Sequence, residues 1–177
     1  MSDYPLIADH GLIGNMQTAA LVTTDGTIDW FCAPRFDSPS VFGCLLDNDQ
    51  GGHLRTRPTV DVFTSQQLYY PDTAILVTRF LTEAGVGEVI DFMPVANAAV
   101  ASDRQQLVRM IRCVRGEMTF AVEIAPRFDY GRESHETNVT EDGVVFQGAR
   151  NALSLSLVRE PDDARLARVQ MASEEAL

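Results

Sequence analysis

The strongest constraint on this chain is the recurrence of short, β-prone runs separated by tight turns, with no long segment of helical periodicity. "TAALVTT" and "TIDWFCA" flank Asp25-Gly26. An Asp-Gly pair between two such runs predicts a two-residue hairpin loop, because both central positions favour positive φ. That loop places Thr24 opposite Thr27, Val22 opposite Asp29 and Leu21 opposite Trp30. "HLRTRP" and "VDVFTSQQLYY" follow as strands. "AILVTRFLT" and "GEVIDFM", joined by "EAGV", read as a second hairpin. "QQLVRMIRCV" and "MTFAVEIAP", joined by "RGE", read as a third. "VVFQG" and "ALSLSLV" complete the pattern. Phe120, Val122 and Ile124 alternate with Ala121 and Glu123, and Leu153, Leu155 and Leu157 alternate with Ser154 and Ser156. Such period-two alternation marks one buried and one wet face, so these six apolar residues are expected in the core. "PSVFGCLLDN" reads as a single helical turn, and "PDDARLARVQMASEEAL" is the one candidate for a longer helix. The expected fold is all-β, an antiparallel β-sandwich with little helix, built as one domain over residues 1–177. The strand pattern is interrupted rather than capped at its end, which points to a longer parent protein.

Composition narrows the partners. The formal net charge is −11, which repels phosphate backbones and anionic lipid, so neither nucleic acid nor a membrane surface is an expected partner. No run approaches the apolar length of a membrane span, and "MSDYPLIADHG" lacks the basic and apolar regions of a signal peptide. Cys32, Cys44 and Cys113 are odd in number and match no zinc or redox spacing. They are expected to be reduced and buried, in a cytoplasmic protein.

Few residues are spaced for metal binding or catalysis. His10, His53 and His135 have no partner at metal-ligand spacing, and "DNDQGG" from Asp47 opens like a calcium loop but has Pro58 where a closing Glu is required. No metal or cofactor is expected. No serine sits in a nucleophile elbow. Paired carboxylates remain: Asp29, Asp37, Asp91 and Asp129 all lie near aromatic residues. Asp29 and Asp91 neighbour Trp30 and Phe92 within strands, and alternation turns their carboxylates outward. No opposed catalytic pair emerges.

"PRFD" occurs twice, at Pro34–Asp37 and at Pro126–Asp129, each time directly after a strand. Proline ends a strand because it donates nothing to the ladder. Trp30, Arg35, Phe36, Asp37, Arg127, Phe128 and Asp129 are therefore candidates either for two structural corners or for two loops on one rim that meets a partner or a sugar. The two corners share a rim only if their preceding strands run the same way.

Together, "LIGNMQTAALVTTDGTIDWFCAPRFDSPSVFGCLLD", "YYPDTAILVTRF", "EVIDFMP", "LVRMIRCVRG" and "IAPRFDYG" resemble, in this order, the opening of bacterial and archaeal members of glycoside hydrolase family fifteen, the glucoamylase and trehalase-like proteins. The resemblance runs to about Leu157. It implies a trehalase-like N-terminal domain, a supersandwich-like β fold placed before a catalytic barrel of paired helices. It also implies that both catalytic glutamates lie in that barrel, beyond residue 177, so no catalytic residue is expected here. The family inverts: one carboxyl protonates the glycosidic oxygen while the other activates water. On this reading the "PRFD" loops dock against the barrel of the same protein, with α-glucosides at the interface, and the isolated domain is prone to self-association. The alternative is a free-standing carbohydrate-binding module in which Trp30, Tyr69, Tyr70 or Tyr130 stacks on sugar faces.

Overall fold

The computed structural model describes residues 4–95 and 104–158, and the backbone of 159 and 165–173. Two antiparallel sheets form a sandwich. The first contains β1 (His10–Gly14), β2 (Ala19–Thr23), β3 (Thr27–Cys32), β4 (Ser40–Phe42), β5 (His53–Pro58) and β10 (Phe120–Ala125), in the order β1-β2-β3-β5-β10 with β4 beside β3. The second contains β6 (Thr64–Tyr69), β7 (Leu76–Leu81), β8 (Gly85–Phe92), β9 (Arg104–Gly116), β11 (Glu136–Thr140), β12 (Gly143–Gln147), β13 (Asn151–Arg159) and β14 (Arg165–Ser173), in the order β11-β12-β13-β14-β9-β8-β7-β6. Ile13, Val22, Ile28, Phe31 and Leu54 from the first sheet meet Leu76, Leu107, Leu153 and Leu155 from the second in one apolar core.

The expected all-β sandwich is the fold, but four local expectations are corrected. The first hairpin has a three-residue loop, because only Gly26 takes positive φ (83°) while its N–H closes on the Thr23 carbonyl at 2.9 Å. A Cβ there would lie 2.3 Å from the Thr56 carbonyl oxygen, so glycine is required twice over. Leu21 faces Trp30 as expected, but Val22 faces Ile28, and Asp29 is the extra residue of a β-bulge. The third hairpin does not exist: β9 and β10 lie in different sheets, and "RGE" carries the chain across the sandwich to pair β10 with β5. "PSVFGC" supplies β4, and the helical turn is confined to Gly43–Asp47, where the Leu46 and Asp47 amides both donate to the Gly43 carbonyl. The segment read as a C-terminal helix contains β14 instead.

The predicted core faces hold in part. Leu153 and Leu155 are buried, and Ile124 packs on the core. Phe120 is half-buried, with its ring against Phe80 at 5.8 Å. Val122 and Leu157 are exposed, Val122 because β10 is an edge strand that the opposing sheet does not fully cover. Cys32 and Cys44 are buried, with the Cys32 thiol pushed up to about 11 by burial, whereas Cys113 is exposed.

Both strand carboxylates expected to point outward are buried. Asp91 lies in the sandwich interior, where Arg109 Nε and Nη2 donate to its two oxygens at 2.7 and 3.0 Å. The same guanidinium crosses between the sheets to the Gly26 carbonyl at 2.9 Å and to Thr56 Oγ1 at 3.1 Å. Asp29 lies on the outer side of the first sheet under residues 4–9, paired to His10. Alternation gave the direction of Asp29, which is buried because His10 covers it, and failed at Asp91, where a buried arginine makes an inward carboxylate tolerable.

Candidate functional site

Strands β3 and β10 are both antiparallel to β5, so they run in the same direction. The topological condition for a shared rim is met: both Arg-Phe-Asp corners leave the first sheet at one end. The turn between β1 and β2 and the loop before β5 reach that end too. Asn15 Oδ1 caps the former by accepting from the Gln17 and Thr18 amides, each at 3.1 Å.

Hydrogen bonds tie the first corner to the β1–β2 turn and the second corner to β4. The Phe36 amide donates to the Gln17 carbonyl at 3.1 Å, and the Arg127 amide to the Val41 carbonyl at 2.9 Å. The Tyr130 amide donates to Ser40 Oγ at 3.1 Å. Gly52, at φ 75°, lets the second corner pass close by, since a Cβ there would lie 2.4 Å from the Ala125 carbonyl oxygen.

The two corners share four letters and differ in what they do. In the first, Phe36 is 62% exposed and Phe128, its counterpart, is 1% exposed. Arg35 grips Asp37 through Nε and Nη2 at 3.0 and 2.9 Å, an exposed bidentate pair. Arg127 instead turns back to the Pro126 carbonyl at 3.0 Å. Asp129 and Tyr130 take left-handed backbone (φ 50° and 58°) in the short turn Phe128–Gly131. Two consecutive non-glycine residues there are strained unless packing holds them. Buried Phe128 anchors one side, packed edge-on to His135 at 5.6 Å, and the Ser40 bond anchors the other. The turn leaves the Tyr130 ring 6.4 Å from that of half-buried Trp30, with the Arg132 guanidinium 5.8 Å from its centroid.

The loops also expose residues that the sequence reading passed over: Met16 and Leu46 stand out with Phe36 and Tyr130 as exposed large apolar side chains. No local signal marked Met16 or Leu46, because loop residues have no periodicity to reveal their direction. The geometry offers apolar knobs, one oriented ion pair and an aromatic pair. Of the four candidate carboxylates, three are already paired: Asp29 with His10, Asp91 with Arg109 and Asp37 with Arg35. Among the described residues no group of three or more His, Cys, Asp or Glu side chains could hold a metal ion, and no helix is long and apolar enough to cross a membrane.

Residues 2–158 match the family model described as trehalase-like, N-terminal. The chain belongs to that family. This trehalase-like N-terminal domain is 33% identical over 160 residues to a trehalase of Thermoplasma volcanium, covering 86% of this chain and 25% of that protein. It is 38% identical over 150 residues to trehalase 1 of Sulfolobus acidocaldarius, covering 85% and 25%. A trehalase of Mycolicibacterium smegmatis is 32% identical over 145 residues, covering 74% and 22%. The domain thus spans about a quarter of the length of the trehalases it matches. No solved structure matches it.

Proposed function

We propose that this chain is the accessory N-terminal domain of an inverting α-glucoside hydrolase of trehalase or glucoamylase type. Its four-loop rim docks on the helical catalytic barrel of the same protein, and the chain alone does not hydrolyse. The observation that carries this reading is the set of exposed apolar side chains, Met16, Phe36 and Tyr130, on loops at one end of a domain a quarter as long as its relatives. Soluble surfaces rarely gather such residues without a partner to cover them. Arg35 and Asp37 supply an oriented polar contact at the edge of that patch, the usual make-up of an inter-domain surface. The free cysteines are in keeping with a reducing, cytoplasmic setting.

The test has two arms. The purified chain is incubated with trehalose, maltose and isomaltose, and no glucose release is expected. In the full-length hydrolase, Phe36→Asp and Arg35→Ala are expected to reduce activity or domain association while the sandwich keeps its unfolding midpoint. Glucose release by the chain alone, or full activity of both variants, overturns the reading. The isolated domain is expected to self-associate through the rim, with Phe36→Asp returning it to monomer in light scattering.

A carbohydrate-binding role has one observation in its favour. Tyr69 and Tyr70 are engaged, with hydroxyls bonded to Leu12 and Arg112, but Trp30 and Tyr130 sit side by side at the rim. Trp30 is the only tryptophan, so a saturable change of its fluorescence with trehalose, lost in Tyr130→Ala, would favour that role over docking.

A further inference from the structure

Residues 4–9 form a strap across the outer side of the first sheet. Four bonds hold it: the Thr24 amide to the Asp9 carbonyl at 3.0 Å, the Asn48 amide to Tyr4 Oη at 3.3 Å, the His10 amide to the Ile7 carbonyl, and His10 Nδ1 to the Leu6 carbonyl at 2.8 Å. The other imidazole nitrogen, Nε2, lies 2.8 Å from Asp29 Oδ2, and both side chains are only 3% exposed. Asp29 Oδ1 is buried with no hydrogen-bond partner. The Asp29 carbonyl accepts the Leu45 amide at 3.1 Å, which ties the same spot to the loop before β5.

We propose that His10 and Asp29 form a one-proton latch that holds the strap closed in its protonated state and releases it when that proton is lost. The Leu6 carbonyl can only accept, so Nδ1 must carry a hydrogen to bond it. The contact between Nε2 and Oδ2 needs a second hydrogen, whichever atom holds it. With both present, the Leu6 carbonyl and the carboxylate are each served. When one proton leaves to solvent, a single hydrogen remains for two acceptors. The buried carboxylate takes it through Nε2, and the bare Nδ1 lone pair then faces the Leu6 carbonyl, which keeps only the Asp9 amide at 2.9 Å. The strap's wall of the adjoining cleft then comes free. That cleft, about 490 Å³, lies between Tyr4, Leu6 and Asp9 on one side and Thr23 and Asp25 on the other.

The surroundings favour a proton held past its ordinary range. Burial pushes the Asp29 carboxyl up against the pull of His10, and Asp25 of the turn adds negative charge in the same direction. Burial alone would lower His10, but Asp29 and the Leu6 carbonyl outweigh it and raise it. Cys44, beside Asp29, has its thiol raised by burial and is uncharged; Arg55 of β5 and Asp47 act on it with opposite sign. Asp9 precedes His10 in the strap itself.

The test follows the intact chain by NMR from pH 5 to pH 9, roughly the range in which histidine titrates. There are three histidines, so the His10 imidazole is assignable. The Asp9, Thr24 and Asn48 amides report the strap, and the Arg127 amide at the rim serves as control. After correction for intrinsic exchange, protection of the three strap amides is expected to fall by up to about tenfold per pH unit above the His10 midpoint, the slope of one proton, with Arg127 unchanged. In Asp29→Asn the side-chain amide donates to Nε2 of neutral histidine, so both contacts survive with Nδ1 still protonated. The His10 midpoint should drop and the strap should stay protected at alkaline pH. Flat strap protection while His10 titrates overturns the latch, as does the same pH dependence in Asp29→Asn. If that variant does not fold, the titration of the unmodified chain decides.

Discussion

Arg109 and Asp91 close a doubly hydrogen-bonded pair inside the sandwich, with Nε 2.7 Å from Oδ1, Nη2 3.0 Å from Oδ2, and neither side chain exposed. The arginine belongs to the second sheet and spends its remaining donors on the first, at the Gly26 carbonyl and Thr56. Removing one partner strands a buried charge. Arg109→Ala is expected to lose about 3–5 kcal/mol in urea unfolding, and the double replacement Arg109→Met with Asp91→Leu to recover much of it. A loss under about 1 kcal/mol for Arg109→Ala would mean that water fills the site without penalty.

Two rings in contact should differ in weight. Phe80 is fully buried, and Phe120, 5.8 Å away, is half-buried on the edge strand β10. Phe80→Ala is expected to lose about 3–5 kcal/mol, and Phe120→Ala clearly less. Equal losses in denaturant titrations would place Phe120 deeper than the fold has it.

Glu88 sets the acid limit. Burial would raise its carboxyl, but Arg79 and Arg112 bond both oxygens and hold it below its ordinary 4.5. A carboxyl lowered on folding contributes stability above its unfolded value, lost as pH falls through the folded one. Asp25, lowered by Thr23 and Thr27 against burial, acts the same way below 3.8. His10, raised from 6.5, contributes below that value and loses its contribution as pH rises through its folded value. Asp29, raised from 3.8, likewise favours the acid side. Stability should therefore peak between the carboxylate and histidine ranges. Glu88→Gln should flatten the acid limb of unfolding midpoint against pH; an unchanged limb would assign acid sensitivity elsewhere.

The thiols give a quick check of topology. Cys113 is exposed while Cys32 and Cys44 are buried. An aromatic disulfide reagent should titrate one thiol in the native protein and three after unfolding. Fast labelling of more than one would mean the outer side of β3 or its neighbouring loop is open.

The strands were legible wherever one face was buried and the other wet, as in β13, where Leu153 and Leu155 entered the core as alternation required. What escaped had causes distant in the chain. Nothing near Asp91 announces that Arg109, eighteen positions on, will turn inward with it, nor that the same arginine will seek a carbonyl 83 residues away. Asp29 turned outward as alternation required, but its burial came from His10, nineteen positions away. The repeated Pro-Arg-Phe-Asp marked two corners at one end, yet identical letters sent Phe36 outward and Phe128 inward, because only the second corner lies against His135 and the second sheet.

The place of β14 bears on how the protein is made. It lies between β13 and β9, so the second sheet exists as two separate ribbons, β6 to β9 and β11 to β13, until residues 165–173 leave the ribosome. During that interval each ribbon offers an unpaired edge to any neighbouring chain, and the missing partner is distant in sequence from β9, which slows its arrival. The family match ends at residue 158, before this strand. A product trimmed to the matched segment would keep both edges open permanently, and inclusion bodies, rather than a smaller folded domain, are what its expression should yield.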